Sequence, residues 1–76
     1  MTADSTPRTL TLRGEHITLA QALKVVALAE TGGQAKVIVR SGTIAVNGEV
    51  VIQPGRKLRL GDRFGPVGGP EWTLVS

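Results

Sequence analysis

Two apolar periods alternate along this chain. Near the start, Thr9-Leu10-Thr11-Leu12-Arg13 alternates with period two, the mark of a strand, and Gly14 closes it. The period then becomes helical. Leu19, Leu23 and Val26 form one stripe, widened by Ala22 and Ala29, which predicts a helix over 18–30. Thr18 and Gln21 stand at capping-box spacing at its start, with Ile17 before them as a staple residue. Val25 and Leu28 fall outside the stripe, so this helix needs a second neighbour. The candidate is a helix over 33–41, with Ala35, Ile38 and Val39 as its apolar stripe and Thr31 and Gln34 again at capping-box spacing. The joint Thr31-Gly32-Gly33 is too short to let the helices separate, so they are expected to pack as an angled pair.

Gly42 accepts φ > 0 and ends the second helix. Thr43 to Val46 reads as a strand, Asn47-Gly48 as a hairpin turn, and Val50 to Ile52 as the returning strand. Gln53-Pro54-Gly55-Arg56 predicts a type II turn with Gly55 at positive φ. Lys57-Leu58-Arg59-Leu60 alternates again, with leucines expected inward and cations outward. Gly61-Asp62 is a further turn before Arg63-Phe64, and 66–70 is a Gly/Pro loop. Trp72 and Leu74 share one face of a last strand, with Val75 on the other, and that strand is expected to pair with 9–13. Residues 1–7 are polar, end in proline, and are expected to be a disordered tail, leaving 8–76 as one domain.

Composition narrows the function. The 41% apolar content suffices for one small core without disulfides, since there is no cysteine. One histidine and no cysteine exclude a structural zinc site, and no cofactor is expected. No stretch approaches the roughly 18 apolar residues of a membrane span, and the N-terminus lacks the apolar core of a secretory signal. These features point to the cytoplasm. The net charge is +3, and the surplus is concentrated. Seven of the nine cations (Lys24, Lys36, Arg40, Arg56, Lys57, Arg59, Arg63) fall between Lys24 and Arg63, against three anions, Glu30, Glu49 and Asp62. A basic patch on a folded surface suits a polyanion; a solvated face that happens to be basic has the same composition. Lys36 and Arg40, four apart, project from one side of the second helix.

The ordered set Leu19, Leu23, Leu28, Thr31, Ala35, Lys36, Ile38, Gly42, Ile44, Val46, Asn47-Gly48, Val50, Pro54 and Gly61-Asp62 resembles the S-four-like, or alpha-L, RNA-binding domain over residues 17 to 64. The sequence looks most like the short stand-alone bacterial members. Many other members carry an RNA-contacting arginine directly after the residue matching Thr31; here that position is Gly32, and no other residue replaces it. The resemblance implies an α+β fold, two packed helices against a small, mostly antiparallel sheet. It also implies RNA lying along the second helix and the hairpin. The residues carried over are Lys36 and Arg40, with Arg56 and Lys57 as the second wall of a shallow groove.

From the residues themselves, Lys36 is a point charge for phosphate and Arg40 a bidentate donor. The N–H groups of Gly33 and Gln34 lie in the first helical turn, where free donors and the helix dipole attract an anion. Gln34 reads first as a cap and second as a donor to a sugar or base edge. Asn47 reads as a turn residue, Arg59 and Arg63 as general surface charge, and Lys24 as a further candidate contact. With only Phe64 and Trp72, both in core-like patterns, stacking of splayed bases is not expected. Structured RNA, ribosomal or tRNA-like, is the expected partner. A ribosomal subunit is a plausible source of added contact area, and the protein is expected to be a monomer. Catalysis is not expected: His16 is the sole imidazole, at a helix entrance, and Glu49 and Asp62 lie in turns. The rival is a protein-interaction or β-grasp-like carrier module. Gly68-Gly69 would serve a carrier only at a free C-terminus, and Val25 with Leu28 could form an apolar docking patch.

Overall fold

A computed structural model describes residues 8–76; the expected tail over 1–7 lies outside them. The chain runs β1 (Arg8–Thr11), β2 (Ile17–Thr18), α1 (Leu19–Val25), α2 (Gly32–Arg40), β3 (Ile44–Val46), β4 (Glu49–Val50), β5 (Lys57–Leu58), β6 (Arg63–Pro66) and β7 (Trp72–Val75). Five strands form one sheet in the order β1-β7-β6-β3-β4, and β2 pairs with β5 in a separate ribbon. Every pairing is antiparallel except β1 with β7, where Leu10 stands beside Leu74. This is the expected α+β architecture, and the last strand pairs with the first as anticipated.

The core joins the helices to one sheet face. Leu19, Ala22 and Leu23 of α1 meet Ala35 and Val39 of α2 within a single buried cluster that includes Ile44, Val46, Leu58, Phe64 and Leu74. Thr18 caps α1 with the full reciprocal box: its hydroxyl accepts the Gln21 N–H, and Gln21 Oε1 accepts the Thr18 N–H. The Leu19 and Ala20 N–H groups donate to the carbonyls of Arg56 and Pro54, so the 53–56 turn closes the helix start.

Helix α1 is shorter than its apolar pattern. It ends at Val25 because Ala27 adopts φ 63°. The Ala27 N–H then donates to Lys24 O and the Leu28 N–H to Leu23 O, the paired bonds of a Schellman ending. Leu28 and Ala29 still pack inward from the connecting segment, whereas Val25 is 60% exposed and has no second helix over it. At the hairpin, Asn47 (φ 52°) and Gly48 (φ 86°) both take positive φ, as a type I′ turn requires.

Three further expectations differ. The 53–56 turn closes through Arg56 N–H to Gln53 O, yet Gly55 stays out of the positive-φ region, so the turn is not type II. Leu58 is buried but Leu60 is 57% exposed. The strand stops at Leu58 because Asp62 closes a turn just beyond it, donating its N–H to Arg59 O and accepting the Arg59 N–H on Oδ2. The returning hairpin strand covers only Glu49–Val50. Gly68-Gly69 lies in the β6–β7 loop, followed by a strand paired on both sides, not at a free end.

Candidate nucleic-acid interface

Helix α2 holds the central pair of cations. Ala35 and Val39 are fully buried and Ile38 half-buried, so the opposite side of the helix faces solvent. Lys36 and Arg40 are both exposed there, one helical turn apart, with Cβ atoms about 6 Å apart by helix geometry. Val37, 68% exposed, stands between them in sequence. Among the described residues the ion pair within 4 Å is Arg63–Glu71 at 3.7 Å, between half-exposed side chains, so neither Lys36 nor Arg40 is neutralised by a carboxylate. That surface pair adds little stability.

The start of α2 is more occupied than its sequence suggests. Thr31 Oγ1 accepts the Gln34 N–H at 3.0 Å, and Gln34 Oε1 accepts the Glu30 N–H at 2.6 Å. The glutamine therefore reaches one residue further back than in the box at α1, and the expected bond to the Thr31 N–H is replaced. Gln34 acts as a cap, with only its amide nitrogen unengaged among the hydrogen bonds found. Gly33 is exposed at the same end, and an added Cβ there would meet nothing closer than Thr31 Oγ1 at 4.0 Å, so the backbone is open to approach.

Arg56 and Lys57 hang from a different support. The Arg56 main chain is fixed at both ends, its carbonyl by Leu19 N–H and its N–H by Gln53 O, while Lys57 pairs with Thr18 across β2 and β5. Both side chains are exposed. The structure thus presents two cation pairs, one on α2 and one at the start of α1, and the two helices pack on each other. Lys24, also exposed, lines a separate groove between β1 and α1 with Arg13 and His16. His16 is exposed and has no carboxylate partner within the ion-pair distance among the described residues. No cluster of three or more metal-ligating side chains occurs among the described residues.

One contact escaped the sequence. Asn47 does more than turn the hairpin: its Nδ2 donates to Asp62 Oδ1 at 3.1 Å, and its Oδ1 accepts the Arg63 N–H at 3.0 Å. The Asn47 N–H in turn donates to Arg63 O. The hairpin tip is clamped to the Gly61-Asp62 turn. Nothing local signals this clamp, because the partners lie fifteen and sixteen residues apart and meet only through the β3–β6 register.

The aromatic residues are engaged internally. Phe64 is fully buried, and Trp72 stacks on it with ring centroids 5.9 Å apart. The Arg8 guanidinium lies 5.9 Å from the Trp72 ring centre, at cation–π distance.

The chain matches no curated protein. The family model for the S4 domain matches residues 10–65, from the middle of β1 to the middle of β6, and so includes both helices and the hairpin. That family is in general one of non-catalytic, RNA-binding modules. On this match, which covers most of its length, the chain belongs to the S4 domain family.

Proposed function

We propose that the protein is a non-catalytic binder of structured RNA, ribosomal or tRNA-like, gripping backbone phosphates through Lys36 and Arg40 with Arg56 and Lys57 as a second contact. The observation that carries this reading is the pair of exposed cations on α2, four residues apart on a helix anchored by Ala35 and Val39 and free of carboxylate partners among the described residues. Membership of an RNA-binding family supports it. The engaged aromatics favour a shaped backbone over splayed single-stranded bases, because neither ring is a free stacking platform. Gly33 and the first turn of α2 offer a further phosphate contact through backbone N–H groups.

So small a patch binds modestly alone, and a ribosomal subunit would supply added area. A monomer in the cytoplasm fits this role, and no helix among the described residues is long and apolar enough to cross a membrane. The test is fluorescence anisotropy with labelled tRNA and a ribosomal RNA hairpin, across a salt series. Four phosphate contacts give a log–log salt slope of roughly −3 to −4. Lys36→Glu/Arg40→Glu is expected to weaken binding by more than about tenfold and flatten the slope by roughly 1.5 to 2, with the circular dichroism spectrum unchanged. Equal binding by both proteins would refute the assignment.

A further inference from the structure

A second surface lies away from the α2 face. Between β1 and α1 runs an open groove of about 750 Å³, within the roughly 300–1,000 Å³ range of small binding sites. Its apolar part comes from Leu10, Leu12, Ile17 and Val25. Its charged and titratable lining among the described residues is Arg13, Lys24 and His16, with no acidic residue; Glu15, the next acid along the chain, does not line it. Val25 is thereby explained, since the residue that α2 leaves uncovered forms a wall of this groove.

β1 is also an outer strand of the sheet. Leu12 directs its N–H to Val75 O at 2.7 Å, continuing the parallel pairing with β7. In a parallel ladder, alternate residues turn both main-chain groups to the same neighbour. Thr9, Thr11 and Arg13 therefore turn theirs to the open edge, and Thr11 and Arg13 line the groove. Among the described residues, the groove thus offers unpaired strand donors and acceptors, an apolar wall and uncompensated positive charge in one place.

We propose that this groove docks an acidic, extended segment of a partner protein, which adds to β1 as a strand, sets aliphatic side chains against Val25 and Ile17, and places carboxylates beside Arg13 and Lys24. A nucleic-acid strand would satisfy the cations alone, leaving the strand edge unpaired and the apolar wall uncovered. A peptide strand satisfies all three features. The proposal is independent of the RNA face: it uses neither Lys36 nor Arg40.

The test is an NMR titration of the full, isotope-labelled chain with the blocked peptide Glu-Val-Glu-Val-Glu-Val, its counterpart with lysine for glutamate, and a version N-methylated at alternate amides. The acidic peptide is expected to bind with a Kd below about 1 mM and to shift the amides of Thr9, Thr11 and Arg13 and of α1. Arg13→Glu/Lys24→Glu is expected to weaken it at least tenfold, with the spectrum otherwise folded. The lysine and N-methylated peptides are expected not to bind. Absence of shifts, shifts confined to α2, undiminished binding by the double variant, or stronger perturbation of the same amides by an oligouridine would each overturn the proposal.

Discussion

Replacing Ala27 by glycine should stabilise this protein, and the size of the gain follows from one dihedral angle. Ala27 sits at φ 63°, one residue past the cap of α1, in the position that Schellman endings usually give to glycine. An L-residue with a Cβ pays about 1 to 2 kcal/mol there. Glycine removes that strain but adds freedom to the unfolded chain, which returns roughly 0.4 to 1 kcal/mol. The Ala27 methyl is exposed, so its loss forfeits little burial. The net gain is about 0.5 to 1 kcal/mol, or a rise in Tm of about 3 to 6 °C for a domain of this size. Urea and thermal unfolding, followed by circular dichroism and Trp72 fluorescence, measure it directly. Ala27→Val supplies the opposite sign, a loss of about 1 kcal/mol or more, because a β-branched residue tolerates positive φ poorly. RNA affinity should not change, since the residue lies on neither cation-bearing surface. A neutral or destabilising Ala27→Gly, with the urea slope unchanged, would show that α1 does not end in this way.

Two further substitutions probe the sheet that supports the helices. Gly65→Ala should cost about 2 to 3 kcal/mol in urea unfolding, because a Cβ there would overlap the Pro70 carbonyl and crowd Glu71 Cα, pushing the β6–β7 loop off the strand. Asn47→Ala should cost about 2 kcal/mol, losing both side-chain bonds of the hairpin clamp and placing a Cβ residue without a polar side chain at φ 52°; Asn47→Gly also loses the clamp but should cost less, since glycine keeps the turn, and equal losses would mean that the positive φ adds no cost beyond the lost clamp.

The helices were legible from sequence because their signals are local. Thr18-Gln21 and Thr31-Gln34 marked both starts, and Gly42 marked one end. The other end was hidden because a non-glycine residue, Ala27, does a glycine's work; an apolar run through Leu28 and Ala29 continued the helical period although the backbone had left the helix. Leu60 misled for a related reason. Alternation places Leu60 with Leu58, but Asp62 draws Arg59 into a turn before the strand can extend. The 53–56 turn departs from type II at Gly55, which tolerates positive φ at little cost but is not compelled to adopt it. In each case a residue's tolerance or period was read correctly, and a competing main-chain bond decided the conformation.

The same division separates the two surfaces. Lys36 and Arg40 fall on one side of α2 by helix geometry alone, once Ala35 and Val39 are buried. Their relation needs no knowledge of the rest of the chain, which is why the pattern exposes it. Arg13, His16 and Lys24 share a groove only because β1 docks in parallel beside β7, leaving its outer edge open next to α1. That arrangement brings the first strand against the last, with partners such as Leu10 and Leu74 far apart in sequence. A basic residue inside a helix can be assigned to a face from its neighbours four positions away. A basic residue at a strand end acquires its partners only from topology, so the α2 face was legible in the order of residues and the β1 groove was not.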